Sequence, residues 1–204
     1  MTTATAASAA TNLRDLLRQE ANRQTIADFM NGLSDAARVE EALSLGGGEV
    51  GRLYRAVAGG RELLTTDFVP SDTPPNTTII FEGRNSLPLF SRFQKRFAKL
   101  PSGRVVGYNH QTMSFVTGPG FFVVQPATID SDVPGELYFD YTAEPESVPE
   151  GWPAYKPNAA GLSTLVYKDM KDYMREVANN VYVGEAYKLG KSQKQFFLLA
   201  RAAD

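Results

Sequence analysis

The sequence predicts an α+β fold: N-terminal helices, then an antiparallel β-barrel or strongly curved sheet with helices packed on it. Three observations carry this expectation. Apolar residues at helical spacing dominate up to about residue 58. β-Branched and aromatic runs bounded by Gly and Pro dominate from residue 77 onward. Within those runs one strand face is apolar and the other polar, as in Leu137, Phe139 and Tyr141 against Glu136, Tyr138 and Asp140. Such alternation belongs to antiparallel sheets and barrel walls, since parallel strands covered on both faces read as continuous apolar runs.

Met1–Thr11 is rich in Ala, Thr and Ser and lacks the apolar stretch of a secretory signal, so it reads as a disordered tail, with an organelle transit peptide as the alternative although such peptides are Arg-rich and the first Arg is Arg14. Residues 12–60 form the helical section. Leu13, Leu16 and Leu17, then Ile26, Phe29, Met30 and Leu33, keep helical spacing. Gly32 interrupts, and Ser34 suits the N-cap of a helix carrying Val39, Ala42 and Leu43. Gly46–Gly48 ends that helix, and a third presents Val50, Leu53, Tyr54 and Val57 before Gly59 and Gly60. A loop with Pro70, Pro74 and Pro75 follows.

Residues 77–204 form the β-rich section, packed with the helices as one structural domain. Thr77–Phe81 reads as its first strand. Pro88–Lys99 is expected to be an amphipathic helix, with Leu89, Phe90, Phe93 and Phe97 on its apolar face and Pro88 in its first turn. Arg104–Gln111, Thr112–Thr117, Phe121–Gln125 and Gly135–Tyr141 read as strands, with Gly118-Pro119-Gly120 as a hairpin signal. Leu162–Tyr167 is another strand, and Met170, Tyr173, Met174 and Val177 mark a short helix ended by Asn179-Asn180. Val181–Lys188 and Gln195–Arg201 close the chain around Gly190. About seven strands in succession favour closure into a barrel.

The composition limits the chemistry. Net charge is −2, which gives no global attraction to nucleic acid, so no DNA partner is expected. With no cysteine there are neither disulfides nor thiolate metal sites, which suits a reducing compartment and a cytoplasmic location. No apolar run is long enough for a transmembrane helix. His110 is the only histidine, so His-pair zinc motifs are excluded, and no Gly-x-Ser-x-Gly elbow is present. No metal site and no cofactor is expected, with haem on His110 as the alternative.

Candidate site residues follow from position. Tyr108 and His110 share a strand face, so an imidazole and a phenol would enter the interior together if that face lined a barrel. Arg84 and Asn85 lie where the first strand is expected to give way to a helix, a junction that can hold an anion. Prolines at 145, 149, 153 and 157 keep the segment from Glu144 to Asn158 extended, with Trp152 and Tyr155 either touching ligand or anchoring the loop. Arg84, Arg92, Lys95, Arg96, Lys99 and Arg104 form a basic block without acids, followed by an acidic stretch from Asp130 to Glu150.

The C-terminal runs Tyr167–Val177, Asn180–Gly184 and Phe196–Arg201 resemble the closing section of GXWXG-type domains and of lipocalin-like (calycin) barrels. The Gly-x-Trp-x-Gly signature itself is missing, Phe81-Glu82-Gly83-Arg84 standing nearest. The resemblance implies a β-barrel with an interior ligand cavity. Three functions are therefore weighed. The first is binding of a small hydrophobic or aromatic ligand. The second is a cyclase or isomerase acting on a hydrophobic metabolite, with His110 and Tyr108 as acid–base pair. The third is an interaction module using the basic helix Arg92–Lys99. A homodimer is compatible with all three.

Overall fold

A computed structural model describes residues 12–86, 91–110, 118–158, 164 and 167–203. The sheet is a closed antiparallel barrel in which each strand pairs with its neighbours in sequence and the last pairs with the first. Its strands are β1 (Ile79–Asn85), β2 (Arg92–Lys99), β3 (Val105–His110), β4 (Phe121–Gln125), β5 (Tyr138–Asp140), β6 (Met170–Ala178), β7 (Val181–Lys188) and β8 (Lys191–Arg201). Closure leaves no sheet edge among them. Ahead of the barrel come α1 (Leu13–Arg18), α2 (Arg23–Asn31), α3 (Asp35–Ser44) and α4 (Gly47–Ala56). No helix among the described residues is long and apolar enough to cross a membrane.

Two expected helices are strands. In β2, Phe93 and Phe97 are four residues apart, an interval compatible with one face of either a helix or a strand, so their spacing did not discriminate. Pro88–Phe90, the start of that expected helix, lie outside the described residues, as do the tail 1–11, the expected strand Thr112–Thr117 and all of Leu162–Tyr167 except Thr164 and Tyr167. In β6 the alternation is hidden because both faces are covered. Met174 points into the barrel, Tyr173 packs outside against Tyr138 and Tyr187, and Val177 lies beneath the helices. A register shift between Glu176 and Ala178 changes the phase again. Asn180 does adopt a left-handed φ of 62°, but in the β6–β7 turn and not at a helix end.

The helical section begins with one more break than the apolar pattern suggests. Asn22 caps α2 by accepting from Thr25 N–H, as Asn12 caps α1 and Ser34 caps α3. The helices cover the outer face of β6, β7 and β8. Ile26, Met30, Leu45, Val50 and Leu53 bury against Val177, Val181, Val183, Leu198 and Ala200. A Cβ at Gly51 would stand 2.9 Å from the Phe196 ring, so glycine there sets how closely α4 approaches β8. Arg38 ties this layer together, donating to the carbonyls of Met30 (2.9 Å), Leu33 (2.9 Å) and Asn179 (3.3 Å).

A second core fills the barrel. The chain between α4 and β1 inserts Leu63, Phe68 and Val69 at one end. Phe68 lies within 4.7–5.8 Å, ring centre to ring centre, of Phe81, Phe97, Phe139 and Tyr182. Arg61 braces the outside of this plug through Asp67 and Glu176. Further along, aromatic rings lie directly on glycines of the facing strand. An added Cβ would stand 2.4 Å from Phe122 at Gly107 and 2.4 Å from Phe197 at Gly184. Both are cross-strand pairs, Gly107 with Phe122 and Gly184 with Phe197. Their glycines make room for rings that fill the interior.

Candidate functional site

At the end of the barrel opposite Phe68, the aromatic interior encloses charge. Strand pairing aligns Phe81 with Lys95 and Lys95 with Asn109, which sends the Lys95 side chain inward between Phe93 and Phe97. Lys95 is 2% exposed. Its ammonium donates to Asn109 Oδ1 at 2.7 Å, to Asp172 Oδ2 at 3.1 Å and to the Tyr141 hydroxyl. Tyr141 donates in turn to Asp172 Oδ2 at 3.0 Å. Asn109 Nδ2 donates to the Tyr141 oxygen at 3.1 Å and to Gly120 O at 3.3 Å. The rings of Phe93, Phe122, Phe139, Tyr141 and Phe197 lie 4.9–5.8 Å from Lys95 Nζ and face their negative quadrupoles toward it. Tyr167 stacks on Tyr141 with centroids 5.3 Å apart.

Removing two charges from water costs several kcal/mol per ion, which their mutual attraction repays only with good geometry and complete hydrogen bonding. Here all three protons of the ammonium are placed, on Asn109, Asp172 and Tyr141. Burial pushes the Lys95 ammonium below its ordinary value, against the pull of Asp172. Burial and the neighbouring Asp172 push the Tyr141 phenol well up, so it keeps its proton and acts as a donor. The arrangement can hold a polar group by hydrogen bonds in a dry surrounding, and it places an amine, a phenol and a carboxylate within reach of one another.

The residues expected to form a site lie elsewhere. On β3 the inward parity is Val105, Gly107 and Asn109, so Tyr108 and His110 face outward and do not share a barrel cavity. Four of the expected residues do meet, but on the outer wall. Tyr108 lies 6.2 Å from His110 and 4.8 Å from Trp152, while Phe121 lies 5.5 Å from Tyr155. Trp152 packs with Leu100, Val106 and Val123 and donates from Nε1 to Thr78 Oγ1 at 2.8 Å. It thereby holds the proline-rich segment against the barrel. His110 is exposed, and partial burial together with Arg96 lowers its pKa.

Arg84 and Asn85 belong to β1, and the next described element after them is the strand β2. Arg84 Nη1 donates to Leu43 O at 3.0 Å, joining the end of α3 to the barrel. The basic segment is a strand whose Lys95 points inward, so no basic helix exists at Arg92–Lys99. Of the acidic stretch, Asp132 pairs with Lys171 and Glu136 with Arg175, both on the outer surface.

The sequence reading missed Lys95, Asn109 and Asp172, and did not weigh Tyr141 as a site residue. For Tyr141 the signal was present, since its inward face with Leu137 and Phe139 was readable. For Lys95 it lay in Phe93-Gln94-Lys95-Arg96-Phe97, which on a strand puts a lysine between two phenylalanines of one face. The helical reading concealed that signal.

The closed eight-stranded antiparallel barrel with flanking helices is consistent with a lipocalin-like barrel. No protein-family model matches the chain, and no significant match is found among curated proteins or solved structures.

Proposed function

We propose that the protein binds a small hydrophobic or aromatic molecule at the end of the barrel that holds Lys95, Asn109, Tyr141 and Asp172. The observation that carries this reading is the hydrogen-bonded ion pair inside an aromatic shell. For stability alone, apolar residues of similar volume would serve as well or better at such a place. A buried polar cluster among apolar walls is also the usual composition of a small-molecule site. The lipocalin-like resemblance of the C-terminal section agrees with this reading.

Native mass spectrometry of the purified protein, paired with a solvent extract, tests it. A reproducible small-molecule mass supports the proposal if adding that molecule back to stripped protein shifts the methyl resonances of Met170 and Met174. Both methionines lie on β6 and pack with the barrel interior. A protein that carries nothing, and whose interior methyls respond to no aromatic probe, would overturn it.

A further inference from the structure

The hydrogen-bond inventory of the buried cluster specifies what a ligand must offer. A lysine ammonium has three protons, and Lys95 directs them to Asn109, Asp172 and Tyr141. The two amide protons of Asn109 go to Gly120 O and the Tyr141 oxygen, and the Tyr141 proton goes to Asp172. Every donor is therefore spent inside the cluster. Asp172 receives both of its contacts on Oδ2, and Oδ1 accepts none among the described residues.

That oxygen is nevertheless not sealed in. The Asp172 side chain keeps 7% of its surface exposed, so the cluster is open on the Asp172 side. The wall beside it is low. Asp172 pairs with Ala186 on β7, and the β7–β8 register shifts between Glu185 and Tyr187, which leaves Ala186 without a partner on β8. A single methyl group stands there, and the next inward position along β7 is Gly184, which has no side chain.

We infer that the ligand is a neutral aromatic molecule bearing one hydrogen-bond donor, a hydroxyl or ring N–H, which it gives to Asp172 Oδ1. The inference rests on the binding proposal and narrows its ligand class. A carboxylate is disfavoured because the ion pair already balances its own charge, and a second anion would meet Asp172 with no free donor to receive it. An ether or ketone of the same shape would offer only acceptors to a site that has no donor left.

The test uses the unaltered protein with methyl-labelled methionine and three matched probes: 2-naphthol, 2-methoxynaphthalene and 2-naphthoate. The Met170 and Met174 methyl shifts report each dissociation constant. Naphthol is expected to bind about ten-fold or more tightly than the ether, as a hydrogen bond to a charged group implies, with naphthoate no better than the ether. In Asp172→Asn the naphthol preference should fall below about three-fold, because the charged acceptor is gone. The probe series on the unaltered protein decides the matter even where that variant does not fold. Equal binding of the ether, or tighter binding of naphthoate, overturns the donor inference and leaves the binding proposal standing. No methyl shift with any probe at millimolar concentration overturns both.

Discussion

Replacing Lys95 by methionine tests whether the buried cluster is as dry as its geometry indicates. The side chain keeps nearly the same length and loses its charge. Asp172, 5% exposed, then retains a single hydrogen bond from Tyr141 and faces Phe139 across the strand pair without a cation. Breaking a buried ion pair from one side costs about 3–5 kcal/mol, mostly as the penalty of the charge left behind. For a chain of this size that lowers the melting temperature by about 10–15 °C. Lys95→Met combined with Asp172→Leu removes both charges and should lie within about 2 kcal/mol of the original protein. Urea denaturation followed by circular dichroism, across the two single variants and the double, gives the coupling between the residues. A loss below about 1 kcal/mol for Lys95→Met would refute the reasoning, because only a solvated pair is worth so little.

Two further outcomes follow from the packing and from the single histidine. Gly184→Ala should destabilise by about 1–3 kcal/mol, since the new methyl would stand 2.4 Å from the Phe197 ring and 2.6 Å from Met174 Sδ, so both side chains must shift; unchanged urea denaturation would mean that the interior is looser than described. The His110 imidazole should titrate below its ordinary value, owing to partial burial and to Arg96, in a proton NMR titration. Because the folded form then binds its proton less readily than the unfolded form, this group's contribution to stability falls as the pH drops below about 6.5. A midpoint at or above the ordinary value would contradict the placement of the ring beside Tyr108 and Arg96.

Much of the architecture is written in local patterns. Ser34 stands at a helix start, and apolar residues at helical spacing mark the faces that bury on the barrel. The parity of Leu137, Phe139 and Tyr141 already assigns an inward face, and the extents of β4 and β7 follow from their apolar and β-branched runs. These features need only neighbours along the chain, so the sequence determines an α+β domain with a wall of antiparallel strands. Tertiary structure decided the rest, for a physical reason visible in β2 and β6. A strand covered on both faces loses its alternation, and apolar residues four apart fit either secondary structure. Closure of the barrel then decided which side of β3 is inside. That choice turned Tyr108 and His110 outward to Trp152 and brought Lys95, Asn109, Tyr141 and Asp172 together from four different strands or strand ends. Lys95 and Asp172 are 77 residues apart in sequence, so no local spacing could announce their pairing.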